Sequence, residues 1–274
     1  MRRLRRGYQT KCWGPLGGHP VGVTSIKDLT YMTFGDMRIA VEEIAAAGYT
    51  GVEMFDGNLE ELARSPTDLR ALLADTGVHL IAVYSGANFI YPDILADELA
   101  RIERIAGIAA EFETEYLVIG GGAKRSEGVQ DGDYERLAEG LGCAIDIADQ
   151  HGMSAHYHPH LTTLGEAPAE VARVFSLSPI NFCPDMAHLA AAGGDPAQMI
   201  REHADRIKYV HLKDLRCEPF AFLPLGEGEL DMSAILEALA EINYDGWITV
   251  ELDSHPDPKG AAVDSFDYLD AQGV

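Results

Sequence analysis

Four short strings of the sequence end hydrophobic runs with side chains that can bind a metal. They are SAHYHPH (154–160), NFCPDMAH (181–188), KYVHLKD (208–214) and WITVELD (247–253). In each string, apolar, β-branched or aromatic residues lead into a His, Asp or Glu, as in a buried parallel strand whose last residue enters a site. One such residue has an ordinary explanation, because strands stop where polar loops begin. Four in succession indicate a metal centre.

The ligands that these strings offer are His158, Asp185, His211 and Glu251. Two imidazoles and two carboxylates can chelate a divalent cation and leave room for substrate oxygens. Such a mixed nitrogen and oxygen set suits Mn, Co, Zn, Fe or Ni, whereas Mg alone is less natural with two imidazoles. The sequence therefore predicts one divalent ion without choosing its element.

The first string, which lies on the fifth predicted strand, offers more than one histidine. His156 and His158 lie on the same face of the predicted strand, so only the one nearer the rim would reach the ion, and we favour His158. His156 lies one layer lower, where it either contacts substrate or is a hydrogen-bonded histidine inside the fold. His160, beyond Pro159, lies in a loop and is predicted to contact substrate.

Other polar and aromatic residues at predicted strand ends are candidates for catalysis or substrate binding. His188 could bond a substrate hydroxyl or move a proton, and Lys213 could donate a proton or stabilise a negative oxygen. Glu251, in a second role, and Glu53 are the candidate bases. Aromatic platforms for a sugar ring are Trp13 and Tyr84, although aromatic residues at strand ends are often simply packing.

The elements that must position these residues repeat along the chain. An apolar run followed by a helical pattern recurs at a spacing of roughly 30 residues, eight times in all. The strands are predicted at 8–13, 50–55, 78–84, 115–120, 153–158, 180–185, 207–212 and 247–252, and the helices at 36–47, 59–75, 93–111, 133–150, 166–175, 195–204, 231–243 and 260–270.

Eight alternating units predict an α/β protein, a closed (β/α)8 TIM barrel. No composition break separates domains, so we predict one domain over 1–274 that includes a basic N-terminal extension at 1–6. The alternative is an open doubly wound sheet, but a glycine-rich phosphate fingerprint is missing after the first strand. In a barrel, the carboxyl ends of all strands share one rim, where the candidate residues would meet.

The charge balance limits the partners. The 274 residues include 21 Lys and Arg against 44 Asp and Glu, a net charge of −23, which disfavours nucleic acids and anionic membranes. A neutral polyhydroxylated substrate suits this field better. The four cysteines form no CxxC pair, and no secretion signal or membrane-length apolar run is evident, so we expect a cytoplasmic protein.

The motifs GVEMF, YHPH, PDMAHLAAAG, YVHLKD and WITVELD, in this order, resemble the xylose isomerase-like TIM-barrel superfamily of sugar phosphate isomerases and epimerases. YHPH, HLKD and the GEGELD stretch (226–231) are most similar to inosose (2-keto-myo-inositol) dehydratase-type lyases. The resemblance implies a metal held by His158, Asp185, His211 and Glu251. Ketose epimerases carry a glutamate on strand five, where this chain has histidine, and this difference favours a lyase.

These observations predict metal-dependent removal of a proton next to the carbonyl of a keto-sugar or keto-cyclitol, followed by dehydration. Epimerisation or isomerisation at the same site is the alternative reaction, and a metal-dependent hydrolase or a non-catalytic sugar-binding barrel are alternatives from other classes. Mn is the expected ion, with Co, Zn, Fe or Mg as alternatives, and no organic cofactor is expected. We also expect a homo-oligomer, with an additional small partner subunit as an alternative.

Overall fold

The computed structural model describes residues 4–14 and 30–274. The first three residues of the predicted basic extension lie outside this part. Within it, the strands in chain order are β1 (Arg5–Gln9), β2 (Gly51–Phe55), β3 (His79–Ala87), β4 (Tyr116–Gly121), β5 (Ser154–Tyr157), β6 (Asn181–Phe182), β7 (Tyr209–Leu212), β8 (Asp214–Arg216), β9 (Ala221–Leu223) and β10 (Trp247–Val250).

Eight of these strands form one parallel sheet in the order β6-β5-β4-β3-β2-β1-β10-β7. The two ends of this order meet through parallel bridges between Phe182 and Ile207 and between Asp185 and His211. The sheet is therefore a nearly closed ring. The predicted (β/α)8 barrel is confirmed, and the open doubly wound sheet is wrong.

Helices follow the strands around the outside of the ring. A 3-10 helix, Thr10–Trp13, comes directly after β1. The α-helices are α1 (Met37–Ala46), α2 (Asp56–Leu62), α3 (Pro66–Thr76), α4 (Pro92–Ala110), α5 (Asp133–Gln150), α6 (Pro168–Leu177), α7 (Met186–Ala191), α8 (Pro196–Glu202), α9 (Met232–Glu241) and α10 (Pro258–Ala271).

The helix predictions differ from the structure in two places. The single helix predicted over 59–75 is two helices, since Pro66 opens α3 and its ring cannot continue a preceding helix. The short helix α7 was not predicted, and it begins where the Asp185 side chain accepts a hydrogen bond from the His188 backbone N–H. The predicted start at Asp195-Pro196 is confirmed, because Asp195 caps α8.

The first strand begins earlier than its sequence pattern predicted. The structure places β1 at Arg5–Gln9 rather than 8–13, so Arg5 and Arg6 belong to the barrel and not to an extension. Arg6 is buried, and its guanidinium donates to the Asp270 carboxylate and to backbone carbonyls of Phe266 and Val274. The C-terminal helix and the residues after it thus pair the charge of Arg6, one of the arginines that made residues 1–6 resemble a basic extension.

Two buried clusters hold the fold together. The larger lies between the sheet and the helices, and the smaller fills the inside of the ring. In the smaller cluster, the rings of Tyr116 and Tyr209 stack with centroids 4.7 Å apart. Side chains thus fill the lower part of the ring, which leaves the carboxyl-terminal rim as the open end.

An antiparallel hairpin of β8 and β9 stands on this rim. Buried Asp214 anchors it, because its carboxylate accepts hydrogen bonds from the backbone N–H groups of Leu215, Gly226, Gly228 and Leu230. A Cβ atom at Gly228 would lie 2.1 Å from Oδ1 of Asp214. Glycine is therefore required there for the backbone to reach the carboxylate.

Among the described residues, no helix combines the length and the apolar character needed to cross a bilayer.

The buried Asp133 at the start of α5 gives a pH-dependent stability. Burial by itself raises its pKa, but hydrogen bonds from Arg125, Arg136 and the Gln130 N–H outweigh this and lower the pKa to about 2 from an ordinary value of 3.8. The folded state thus favours the carboxylate. Its stabilising contribution is complete above the ordinary value and is lost as the pH falls towards 2.

We expect Asp133→Asn to lower the free energy of unfolding at neutral pH, and we expect the difference from wild type to shrink between about pH 4 and pH 2. Denaturant unfolding over this range measures it. Asp146→Asn, at an exposed position of the same helix, is the matched control and should change little. A difference that stays constant down to the lowest pH would contradict the assignment.

Candidate metal centre and active site

Four buried side chains converge at the centre of the carboxyl-terminal rim. His158 directly follows β5, Asp185 caps α7 just beyond β6, His211 belongs to β7 and Glu251 directly follows β10. One nitrogen or oxygen atom from each lies within 4.8 Å of the corresponding atoms of the other three. The ring of strands thus brings together the four residues predicted as ligands.

Among the described residues, four buried ligand atoms make no hydrogen bond: Nε2 of His158, Oδ2 of Asp185, Nδ1 of His211 and Oε2 of Glu251. Nε2 of His158 lies 3.7 Å from Oδ2 of Asp185 and 3.6 Å from Oε2 of Glu251, and Nδ1 of His211 lies 2.5 Å from the same Glu251 oxygen. Because buried polar atoms are normally paired, four unpaired atoms facing one point fit a divalent cation. The donor set of two imidazoles and two carboxylates fits Mn, Fe, Co or Zn.

Each carboxylate of the cluster is held by the oxygen that does not face its centre. Oδ1 of Asp185 accepts a hydrogen bond of 2.8 Å from the backbone N–H of His188. Oε1 of Glu251 accepts from the ammonium groups of Lys11 and Lys213. Burial by itself raises the pKa of Glu251, but the charges of Lys11, Lys213 and His211 outweigh it and hold the pKa well below its ordinary value.

Glu53, a predicted base, lies behind the cluster instead of facing substrate. It is fully buried, and its Oε2 lies 2.9 Å from Nε2 of His211 and accepts a hydrogen bond of 2.9 Å from the Tyr209 hydroxyl. Its Oε1 accepts from the Gln9 amide at 2.6 Å. With both oxygens occupied, Glu53 orients His211, as carboxylates behind metal-binding histidines commonly do.

Two lysines flank the carboxylates that follow β10. Lys213 reaches Glu251 from the β7 side and Lys11 reaches it from the β1 side, and both also contact Asp253. Burial lowers the pKa of Lys11, but Asp253 and Glu251 together raise it above its ordinary value. Sequence reasoning missed Lys11 and Asp253. The signal for Lys11 was a charged residue inside a segment predicted as a buried strand.

A cavity of about 220 Å³ opens onto the cluster. His158 and Glu251 line it, together with the predicted substrate-binding residues Tyr84, His160 and His188. An adjoining cavity of about 160 Å³ shares Tyr84 and His160 with it. The rim thus provides a cleft with room for a sugar or cyclitol ring beside the four ligand atoms.

His188 lines this cavity as a neutral imidazole. Nζ of Lys213 lies 3.3 Å from Nε2 of His188, and an ammonium group can only donate, so Nε2 is the acceptor. Burial is the main cause that lowers the pKa of His188 well below its ordinary value, so the ring is neutral. The remaining proton therefore lies on Nδ1, which is buried without a partner in the described protein.

The hairpin supplies an aromatic wall that sequence reasoning also missed. Phe220 and Phe222 line the cavity. The ring of Phe222 covers Nζ of Lys213 at 3.9 Å and lies 5.2 Å from the ring of His188. The segment between HLKD and GEGELD gave no periodic signal, because three-residue strands are too short for one.

Two residues predicted to bind substrate lie away from the cavity. Trp13 packs edge-on against Tyr8 and donates to Glu43 at 2.7 Å, because the 3-10 helix carries it outward after β1. His156 lies inside the barrel, one layer below His158, where Nε2 bonds the Ser154 hydroxyl at 2.8 Å. Burial lowers its pKa to about 3. The structure thus favours the interior role for His156.

Comparison with known proteins agrees with this architecture. A family model described as xylose isomerase-like TIM barrel matches residues 41–272. An inosose dehydratase of Geobacillus kaustophilus (strain HTA426) is 29% identical over 249 residues, which cover 79% of this chain and 80% of that protein. An inosose dehydratase of Lacticaseibacillus casei is 28% identical over 270 residues, covering 85% and 88%. The solved apo structure of 3-keto-D-glucoside 4-epimerase from E. coli has a TM-score of 0.77 at 20% identity, covering 98% of this chain and 100% of that one, a likeness of fold.

The geometry predicts how metal affinity responds to substitution. His158→Ala removes a ligand and should abolish equimolar binding of Mn after dialysis. Glu53→Gln leaves all four ligands but weakens the support of His211, so affinity should fall by about 10- to 100-fold. Metal analysis and calorimetry measure both effects. His151→Ala, at a partly exposed histidine paired with Glu103, is the control. Equal metal content in wild type and His158→Ala would contradict the site.

Proposed function

The chain belongs to the xylose isomerase-like TIM-barrel family, and from this premise we propose that it is a divalent-metal-dependent dehydratase of a keto-sugar or keto-cyclitol. The enzyme would remove a proton next to the carbonyl and then expel a hydroxyl from the β carbon, as expected of an inosose dehydratase-like lyase. The family resemblance inferred from the sequence motifs is confirmed by the family match. The observation that carries the proposal is the set of four buried, unpaired ligand atoms beside the cavity.

His158, Asp185, His211 and Glu251 would hold the ion, for which we propose Mn. When bound, a divalent cation polarises a substrate carbonyl and stabilises negative charge on its oxygen. Glu53 fixes the orientation of His211, and the two lysines fix that of Glu251. These contacts hold the ligands in place before substrate arrives, which is how a site lowers the cost of reorganisation during reaction.

Glu251 is the proposed base. It lines the cavity, and its low pKa keeps it ionised. We do not assign the base to Glu53, the other candidate, because it lies behind His211 and, unlike Glu251, does not line the cavity. A base positioned next to a bound carbon acid typically contributes about 100-fold or more to the rate.

His188 is the proposed acid. Its Nδ1–H points to no acceptor in the described protein, and the side chain lines the cavity. It can therefore donate to the hydroxyl that leaves. Lys213 is placed to support this step. Its contact with Nε2 keeps the proton on Nδ1, and its ammonium group can replace at Nε2 the proton that Nδ1 gives to the leaving hydroxyl, so that the imidazole stays neutral and the hydroxyl leaves as water. Phe222 packs against both side chains and shields them from water.

Elimination is favoured over epimerisation by where the carboxylates lie. Among the described residues, those lining this cavity are Glu251 and Asp253, which both follow β10 and approach substrate from one side. Inverting a carbon requires proton transfer on opposite faces of the ring. Carboxylates on one side of the substrate can remove a proton from one face only, and with His188 as proton donor this arrangement suits loss of a hydroxyl.

The proposal is tested by hydrogen exchange with a panel of keto-cyclitols and ketoses. We expect the Mn-loaded protein in deuterated water to exchange the hydrogen next to the carbonyl of at least one of them, followed in NMR by the dehydrated product. Exchange with a new stereoisomer and no dehydration would identify an epimerase. Absence of exchange with every ketone, together with turnover of esters or glycosides, would identify a hydrolase.

His188→Gln separates the two chemical steps. Because the substitution removes the proposed acid and leaves Glu251 in place, proton exchange should continue while dehydration slows by about 100-fold. Parallel NMR assays of exchange and of product formation measure this ratio, and His151→Gln is the matched control. If exchange and dehydration fell equally, His188 would not be the acid for the second step.

A further inference from the structure

The two lysines beside Glu251, Lys11 and Lys213, differ in the number of N–H donors that their protein contacts leave unengaged. Strand β10 lies between β1 and β7, so Lys11 and Lys213 approach the Glu251 and Asp253 carboxylates from opposite sides. Both contact Oε1 of Glu251 and Oδ1 of Asp253. An ammonium group has three N–H donors. The third donor therefore decides what else each lysine can bind.

All three N–H donors of Lys213 are engaged. Its Nζ lies 2.9 Å from Glu251, 2.7 Å from Asp253 and 3.3 Å from Nε2 of His188. The side chain is fully buried, and the ring of Phe222 covers the ammonium group. It is not among the residues that line the cavity. Lys213 is therefore unable to donate to a substrate without giving up a contact.

Two N–H donors of Lys11 are engaged. Within the described part of the chain, its ammonium group contacts the carboxylates of Glu251 and Asp253 and lies 6.0 Å from the centre of the Phe55 ring, and the third N–H has no nitrogen or oxygen acceptor. Its side chain lines the same cavity as His158, His188 and Glu251. The 3-10 helix after β1 sets this position, since it turns the chain inward at Lys11 and outward at Trp13.

We propose that Lys11 is a catalytic residue that touches substrate, donating its third N–H to the oxygen that gains negative charge when the proton is removed. This inference rests on the proposed function and names a further residue of that site. A fixed cation with a free donor inside a buried site stabilises an oxyanion without reorganisation. Lys213, by contrast, is a positioning residue that acts through Glu251 and His188.

The experiment compares an anionic and a neutral ligand in the Mn-loaded protein. Acetohydroxamate carries a negative oxygen like that of an enediolate, and myo-inositol has the hydroxyls of a cyclitol without a carbonyl. For Lys11→Met, we expect acetohydroxamate affinity in calorimetry to fall by about 10- to 100-fold, as for loss of a hydrogen bond to a charged group. Affinity for myo-inositol should change by less than about threefold, and affinity for Mn should fall less than affinity for acetohydroxamate, because Lys213 still holds Oε1 of Glu251.

Further variants keep the test independent of folding. Lys11→Gln should show the same loss of acetohydroxamate binding, and Lys11→Arg should restore part of it by supplying a charged donor. Lys259→Met, at an exposed lysine near Glu43, removes one positive charge away from the cavity and should leave binding unchanged. With an active ketone, Lys11→Met should lower kcat more than it changes KM, because the contact forms as charge develops.

Two results would overturn the inference. Unchanged acetohydroxamate affinity in Lys11→Met and Lys11→Gln would show that Lys11 does not reach the ligand. A fall in Mn affinity parallel to that of acetohydroxamate would show that Lys11 only supports Glu251. The binding comparison requires no turnover. A wild type that exchanges no ketone would therefore disprove the proposed reaction and leave the role of Lys11 to be decided by binding.

Discussion

Two carboxylates and two imidazoles that share one buried point are the constraint on which the rest of this molecule depends. Unpaired charges are costly to bury unless they are compensated. The fold meets this cost from two sides. Lys11 and Lys213, which follow neighbouring strands, hold the outer oxygen of Glu251, and the inner atoms of all four residues face one point, where the proposed cation would compensate their charge. The centre is therefore organised by what surrounds it as much as by its own four residues.

The buried carboxylates divide their work between two oxygens. Asp185 uses one oxygen to start helix α7 and turns the other to the cluster, and Glu251 gives one oxygen to lysines and the other to the cluster. Both oxygens of Glu53 accept hydrogen bonds, and one of these bonds orients His211.

The charge of the whole chain is also distributed unevenly between the surface and the site. The net charge is −23, and positive groups such as Lys11 and Lys213 are placed inside, next to carboxylates. This charge distribution agrees with the small neutral ketone proposed as the substrate.

Most of the barrel and the four candidate ligands were predictable, because a repeated strand and helix pattern reports burial and each ligand ends a hydrophobic run. Glu53 was found, but its role was misjudged, since the sequence cannot show that Gln9, Tyr209 and His211 would occupy its oxygens. Trp13 was misplaced because a 3-10 helix follows β1.

The sequence analysis missed Lys11, Phe220 and Phe222. Lys11 lies on a 3-10 helix of four residues, Phe222 lies on a strand of three residues, and Phe220 lies in the turn before that strand. Such short segments show no hydrophobic period.

The sequence by itself determined the alternation of strands and helices, the closed parallel ring that eight such units form, and the order in which His158, Asp185, His211 and Glu251 reach its rim. These follow from local hydrophobic pattern and from the rule that parallel strands end on one side. Only the tertiary structure decided which atom of each ligand faces the centre, which lysine keeps a donor that no described residue accepts, and which histidine lies one layer below the rim. Those outcomes depend on distances between strands that are remote in sequence, and a linear pattern carries no information about the partner across the ring.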